Sequence, residues 1–423
     1  MKKLFALILA VILACGMFTA TSFADTKSPF EYSVNPDGTA EITRADRKIK
    51  DGNIPAELDG HTVTSIGWSA FFGCTSLTNV TLPDTVTHLG NFAFANCSNL
   101  KSINIPDSLT VMDNGVFSGC ARLATIQVSP NHPVYVFNNE MLIRKEDMAL
   151  LKYTGQKAGA YEVFWGIRTI ANGAFQDSKL TSVVLPETVT VIEDYAFRSM
   201  RGLKEIILPD SLTSIGSQVF YGTGLTSIKL PAGLTSIAFG TFSWSSKLKT
   251  IEVDPANTVF EMQGNSLINK EEKALVFHID NDKGTYEIPE GIEKIQGGAF
   301  QGAKAMKELI MPDSLKEIGD SAFSSSSGLA NIRFSPNLTL IDRYAFYYCQ
   351  GLKSVTVPDG VTCIHGCTFS GCKNLEEVIL PASVTEIAPS AFEDCKKLTV
   401  KAPAGSYAQR FCKENGIKFA ELK

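Results

Sequence analysis

Phenylalanine recurs in this chain at a fixed interval. Phe71, Phe94 and Phe117 form one series, Phe175, Phe197, Phe220 and Phe242 a second, and Phe300, Phe323, Phe346, Phe369 and Phe392 a third, with steps of 22 or 23 residues inside each. A period in this range marks a solenoid, in which each repeat is one coil that buries its apolar edge only by stacking on its neighbours. Such a chain offers long faces rather than one enclosed pocket, so its function is sought on surfaces.

Aligned on the phenylalanines, the unit reads L-x-x-[IV]-x-[LIV]-P, a few residues, V-T-x-I-G, then x-x-A-F-x-x-C, as in Leu77 to Pro83 and Leu352 to Pro358. Alternation at positions four to six predicts a short strand with one buried face. Proline ends it, because it has no N–H to give to a ladder. A second extended piece follows, such as Val86 to Gly90, whose glycine is expected to make a turn. The spacing of Ala93, Phe94 and Cys97 predicts one helical or 3₁₀ turn that points ring and thiol inward. About fourteen coils stacked at about 4.8 Å give a curved rod about 65–70 Å long.

Both gaps between the series span 58 residues, and an offset of 125 aligns them: Val128 with Val253, Leu142-Ile143 with Leu267-Ile268, Lys145-Glu146 with Lys270-Glu271, and Tyr161-Glu162 with Tyr286-Glu287. In each, two apolar runs flank a charged turn, Arg144 to Asp147 or Asn269 to Glu272, which predicts a β-hairpin in place of a coil's outer side. The expected organisation is a leader over 1–24, an N-terminal capping region over 25–62, the solenoid over 63–403 with hairpin-bearing coils near 128–165 and 253–290, and a C-terminal cap over 404–423. Open solenoid ends expose sheet edge and core. Phe30 to Val34 and Thr39 to Thr43 read as a capping hairpin, and Gly405 to Gly416 as an amphipathic helix whose Tyr407, Phe411 and Cys412 seal the last coil.

Met1-Lys2-Lys3, the apolar run Leu4 to Ala14 and Ser22-x-Ala24 have the three-part pattern of a secretory signal peptide. A membrane anchor is the alternative, and a lipid-modified Cys15 within Ile12 to Gly16 is another. Loss of residues 1–24 takes the net charge from −5 to −7, and so mildly acidic a chain has no electrostatic case for nucleic acid. No apolar stretch after residue 24 is long enough to span a bilayer. A secreted or cell-surface location is therefore expected.

Nine cysteines follow residue 24, an odd number. Six of them, Cys74, Cys97, Cys120, Cys349, Cys372 and Cys395, stand three residues after a phenylalanine of the series, where other coils have Ser178, Met200, Thr223, Ser245, Ala303 and Ser326. That tolerance reads as a small buried packing position. Cys363-Ile364-His365-Gly366-Cys367 is the exception, with a zinc site, a local disulfide and unpaired thiols as the three readings.

The elements L-x-x-I-x-L-P, V-T-x-I-G and A-F-x-x-C, repeated from Val63 to Pro403, resemble the bacterial BspA-type leucine-rich repeat. Ile54-Pro55 to Gly67 and Gly405 to Ala408 are similar to that family's caps. The resemblance implies an α/β solenoid: a curved leucine-rich-repeat rod with parallel strands on its concave face, short helical turns on its convex side, an N-terminal hairpin cap and a C-terminal helical cap. It also implies an exported or surface-displayed protein, with adhesion to host matrix or other cell-surface proteins as the expected role. The family has no site motif to carry over.

A partner would meet the strand face, where the candidate interaction residues are Asn79, Thr81, Lys101, Asn104, Gln127, Lys204, Lys229, Glu252, Lys307, Arg333 and Lys353. Val184, Ile207, Ile310 and Ile379 add aliphatic spots, and the lysines at position two suggest a basic stripe. A merely solvated face is the alternative reading. No aromatic row lies on it, which argues against sugar stacking. Five histidines at unrelated repeat positions, with no nucleophile elbow, phosphate loop or H-E-x-x-H, argue against an enzyme, a cofactor or a metal. The expectation is a monomeric, non-enzymatic protein-binding chain.

Overall fold

The computed structural model describes residues 28–281 and 283–422, so the leader and Cys15 lie outside the described residues. The chain winds as a β-solenoid of stacked parallel strands, and each coil has three sides. The first is the predicted strand: Asn79–Thr81, Ser102–Ile105 and Thr125–Val128 pair in parallel, with Ser102 opposite both Asn79 and Thr125. Their centres, Val80, Ile103 and Ile126, are buried, as the alternation requires. The second side is a two-residue strand from V-T-x-I-G, as in His88–Leu89 beside Val111–Met112.

The third side corrects the expected helical turns. The residues two before and two after the phenylalanine are left-handed, Ser390 excepted, for example Phe92 (φ 58°) and Asn96 (φ 60°), or Tyr344 (φ 57°) and Tyr348 (φ 56°). A helix needs consecutive right-handed residues, so none can run through here. Alternate amides instead point along the solenoid: Phe92, Phe94 and Asn96 donate to the carbonyls of Asn114, Val116 and Ser118 in the next coil at 3.0, 3.1 and 2.7 Å. The amides between them close turns within the coil, Ala95 to Phe92 at 2.9 Å and Cys97 to Phe94 at 3.3 Å.

The V-T-x-I-G glycine opens the expected turn, with Ala93 N–H bonded to the Gly90 carbonyl at 3.1 Å and Ala322 N–H to that of Gly319 at 3.2 Å, and has a second role as well. Gly90, Gly216 and Gly319 are absent from the left-handed region. A Cβ on Gly319 would lie 2.7 Å from the Gly297 nitrogen, and one on Gly216 2.6 Å from the Asp194 nitrogen. These glycines let backbones of adjacent coils touch.

All twelve phenylalanines of the series are buried, and successive rings within a series stack at centroid separations from 4.7 Å (Phe300–Phe323) to 6.2 Å (Phe94–Phe117). The slot three residues later is more than a packing position. Cys97, Cys120, Cys349, Cys372 and Cys395 each donate Sγ–H to the phenylalanine carbonyl of the preceding coil at 3.0–3.1 Å, and Ser326 donates to Phe300 at 2.7 Å. The Phe71 carbonyl thus accepts from its own coil's Cys74 amide and from the Cys97 thiol, so both lone pairs are used. Burial raises the Cys349 thiol to about 12 and Cys395 to about 11, which keeps both protonated and inert near neutrality.

Each interruption holds an antiparallel meander, Tyr135–Asn138, Met141–Arg144 and Ala149–Tyr153 in the first, and Phe260–Gln263, Ser266–Asn269 and Ala274–His278 in the second. The third strand of each rejoins the parallel stack, Leu150 opposite Ile170 and Leu275 opposite Ile295. Their last residues fill the missing ring positions. Tyr153 stacks on Phe175 at 5.1 Å, and His278 on Phe300 at 4.9 Å. The middle strands are walls with apolar side chains on both faces. Leu142 belongs to a core cluster that starts at Phe30, Met141 and Ile143 to the next, and Leu267 and Ile268 divide the second cluster from the third. That is why these runs are continuously apolar rather than alternating.

The first wall carries an anomaly. Lys152 is fully buried with no ion pair to a described residue, whereas its counterpart Phe277 meets Phe242 at 5.4 Å. Desolvation lowers the Lys152 pKa. The native state then binds fewer protons here than the unfolded chain, so stability rises with pH until the unfolded lysine itself titrates near about 10.4. Lys152→Met is expected to stabilise the protein at pH 7 by about 1–3 kcal/mol, the desolvation cost of a buried unsatisfied donor, and to remove that slope, at most about 1.4 kcal/mol per pH unit. Urea melts of both proteins between pH 6 and 10 check this. Equal stability at pH 7 with parallel pH profiles would show that the amine is not strained.

At the N-terminal end Phe30–Val34 pairs antiparallel with Ala40–Ala45, which continues in parallel to His61–Ile66. At the other end a helix spans Tyr407–Asn415, with Ser406 Oγ accepting from the Gln409 amide and Gly416 (φ 67°) ending it. Ala408, Phe411 and Cys412 are buried in the third core cluster. The helix does not close the sheet, which corrects the expected helical cap. It is a crossover to Lys418–Glu421, which pairs in parallel with Thr399–Ala402 and forms the sheet's last strand. Lys418 and Glu421 put charge on that edge, which discourages further pairing.

Candidate functional site

The strand face is built from the side chains that flank each buried central residue. Asn79, Thr81, Lys101, Gln127, Lys204, Lys229, Glu252, Lys307, Arg333 and Lys353 are exposed there, and Asn104 is half-buried. Parallel register brings Asn104 beside Gln127 and Lys229 beside Glu252, and sets Arg333 beside Ile310. Several of these groups already have partners. Asn104 accepts from the Leu82 amide at 2.7 Å and donates to the Leu82 carbonyl at 2.9 Å, so its amide acts as a clamp between coils. Ser102 Oγ donates to Asn79 Oδ1 at 2.8 Å. Lys229 is ion-paired with Asp254 at 3.1 Å, and that partner raises its pKa.

The lysines at position two do not form a continuous stripe. The Lys101 backbone bonds Thr78 on one side and Ala124 on the other, Lys307 neighbours Ala330, and Lys353 neighbours Glu376. Successive lysines are therefore at least two coils, or about 10 Å, apart, which avoids like charges in direct register. On the same face lie aliphatic groups such as Ile207, 49% exposed, in the coil of Lys204.

Aromatic side chains missing from the strand face lie elsewhere. Trp68, Phe72, Trp244 and Tyr344 are exposed on the turn side, at fixed offsets from the buried phenylalanines. There Tyr344 meets Tyr347 at 5.6 Å edge-on, and Arg198 lies over Tyr221 at 4.4 Å. Their offsets of −3, −2, +1 and +2 from each phenylalanine were visible in the sequence, but the direction those positions face depends on the left-handed backbone.

Cys363 and Cys367 are free, half-exposed thiols, with Cys363 Sγ 3.7 Å from His365 Nδ1 and Cys367 beside the Tyr344 hydroxyl. The described residues hold no group of three or more His, Cys, Asp or Glu able to bind a metal. A second polar cluster, unmarked in the sequence, lies inside the second wall, where Ser266 Oγ is 3.0 Å from His278 Nδ1 and hydrogen-bonded to the Tyr286 hydroxyl. Ser266 is fully buried, so the pair braces the ring position that His278 fills rather than facing a substrate.

The stacked coils, their parallel register and the repeat define a leucine-rich-repeat solenoid. The chain matches the BspA type Leucine rich repeat region, in six copies, over residues 48–151, 168–283 and 276–399, and it belongs to that family. A leucine rich cell surface protein from Faecalibacterium prausnitzii A2-165 is 29% identical, with 92% of this chain and 97% of that one covered and a TM-score of 0.56. The pneumococcal vaccine antigen PcpA, 17% identical over 96% of this chain and 100% of its own, shares the fold with a TM-score of 0.54. Comparison with curated protein sequences gives no match. No helix among the described residues is long and apolar enough to cross a membrane.

Proposed function

We propose that this is an exported, non-enzymatic adhesion protein that binds a host matrix or other cell-surface protein through its strand face, as a monomer. One observation carries the reading. Short polar side chains and isolated lysines recur in parallel register along the face, from Asn79 to Lys353, beside exposed aliphatics. Such a surface gives many weak, orientable contacts to an extended partner. The leader of 1–24 supports export, with cell attachment through Cys15 as its alternative, and the cell-surface relative supports display.

Immobilised matrix proteins and whole cells, titrated with residues 25–423, test the reading. Binding is expected, and the triple charge reversal of Lys101, Lys204 and Lys307 to Glu should weaken it about tenfold, mainly through the association rate. Unchanged binding by the triple variant would defeat the strand-face assignment. A second reading, a structural spacer without a specific ligand, is favoured by the internal pairing of Asn104 and Lys229. It predicts no binding by either protein.

A further inference from the structure

We propose that a cleft at the second interruption is a binding site for a flat aromatic carboxylate. The cleft holds about 160 Å³ between the Phe242 and Phe300 coils. The rings of Phe242, Phe277 and Phe300 line it, with Trp244 at its mouth and Lys249 and Lys304 among its polar groups. An apolar cavity of about 150 Å³ takes up a benzene ring, so one or two fused rings suit this one.

The internal duplication supplies the control. At the first interruption the positions equivalent to Phe277, Asn281 and Trp244 are Lys152, Gln156 and Gly119. There Lys152 is buried, and Gln156 Nε2 donates to the carbonyls of Leu123 at 3.2 Å and Thr154 at 3.0 Å, which ties the two sides together. The fold can therefore close this space and in the second copy does not.

Trp244 is the second observation. Its position, two residues after the phenylalanine, is left-handed and holds Gly, Asn, Asp or Ser in most coils, yet here carries an indole at φ 60° that is 40% exposed. The indole is seated by Gly302, where a Cβ would stand 3.3 Å from Trp244 Cδ2. Tyr348 (φ 56°) has the same position in its coil and also lies over a glycine, Gly371, but Trp244 is the one of the two that lines this cleft.

Charge sets the ligand class. Lys249 and Lys304 are exposed and make no ion pair with a described residue, while their counterparts are Ala124 and Lys179. Among the described lining residues the one carboxylate, Asp280, has its oxygens occupied by the Lys304 amide at 2.7 Å and the Ala305 amide at 3.0 Å. Two available ammonium groups beside aromatic walls favour an anion with a planar apolar body. The same chemistry belongs to a free aromatic acid and to a protein chain that ends in phenylalanine.

Calorimetric titration of residues 25–423 with 2-naphthoate, with its neutral isostere 2-naphthamide, and with Gly-Gly-Phe tests the site. One-to-one binding of naphthoate is expected, with a loss of at least about tenfold in Trp244→Ala and about tenfold in the Lys249→Gln/Lys304→Gln pair. The amide should be insensitive to the lysine changes. Tighter binding of Gly-Gly-Phe would assign the source as a chain end, and tighter naphthoate a free acid. Circular dichroism confirms that the variants, all at exposed positions, remain folded. No heat with either acid at millimolar concentration overturns the proposal, as does full affinity in Trp244→Ala; an unchanged affinity in the lysine pair overturns the carboxylate. Lys249 shares the position-two slot of the strand face, but none of Lys101, Lys204 and Lys307 lines the cleft, so either assignment can fail alone.

Discussion

Phe323→Ala is expected to lower the unfolding free energy by about 3–5 kcal/mol. The ring is fully buried and stacked on both faces, at 4.7 Å from Phe300 and 5.1 Å from Phe346. Truncation removes its transfer free energy and leaves a cavity that two flanking coils, held by backbone hydrogen bonds, cannot collapse to fill. In a solenoid each coil is stabilised by its neighbours, so the loss spreads along the stack. The walls at Met141–Arg144 and Ser266–Asn269 should limit how far. Hydrogen exchange is expected to accelerate through the third core cluster, while amides packed on the first cluster, Phe30 to Leu142, keep their protection. Phe392→Ala, at 6% exposure and with one stacked neighbour, should cost less. Equal costs, or uniform loss of protection along the chain, would contradict the compartmented core.

The second large effect is expected at a glycine. A Cβ on Gly328 would stand 2.1 Å from the Lys304 carbonyl oxygen and 2.8 Å from that of Met306, both backbone atoms that no rotamer change can move. Gly328→Ala should therefore cost about 3 kcal/mol, the upper range for overpacking. Gly202 occupies the same repeat position, but its nearest neighbour is the Leu180 carbonyl oxygen at 3.5 Å, an ordinary contact. Gly202→Ala is expected to be near neutral. Denaturant midpoints of the two variants decide the matter, and a Gly328 variant as stable as the Gly202 variant would show that the coils separate freely.

The two glycines show where sequence reading stops. Both precede a repeat leucine and look alike in the chain, yet only the distance to a coil 22 to 24 residues earlier makes one of them irreplaceable. The V-T-x-I-G glycines are legible as turn formers, which they are, but the close approach of neighbouring backbones that also requires them leaves the same letter and is not legible. The A-F-x-x-C segment reads as helical because its spacing suits a helix, while the left-handed residues on either side of the phenylalanine go unannounced. Tyr, Ser, Gln and Trp share those positions with Gly and Asn. Asn104 reads in the sequence as a contact residue because an amide on a strand position of the solvent side carries no sign that a neighbouring backbone has claimed it.

By itself the sequence determined the repeat, the strand register, the buried phenylalanine column and the presence of two related interruptions, because these follow from periodicity, and periodicity is a local property read at a fixed step. Tertiary structure alone decided what fills the missing ring positions, Tyr153 and His278, how the walls divide the core, and why one interruption is sealed while its duplicate stays open. Those outcomes depend on contacts between coils that an interruption separates by more than 50 residues, such as Ser118 Oγ with the Asn172 carbonyl and Ser243 Oγ with that of Gly298. The size and charge of side chains meeting across such a junction are set by packing, which has no period to read.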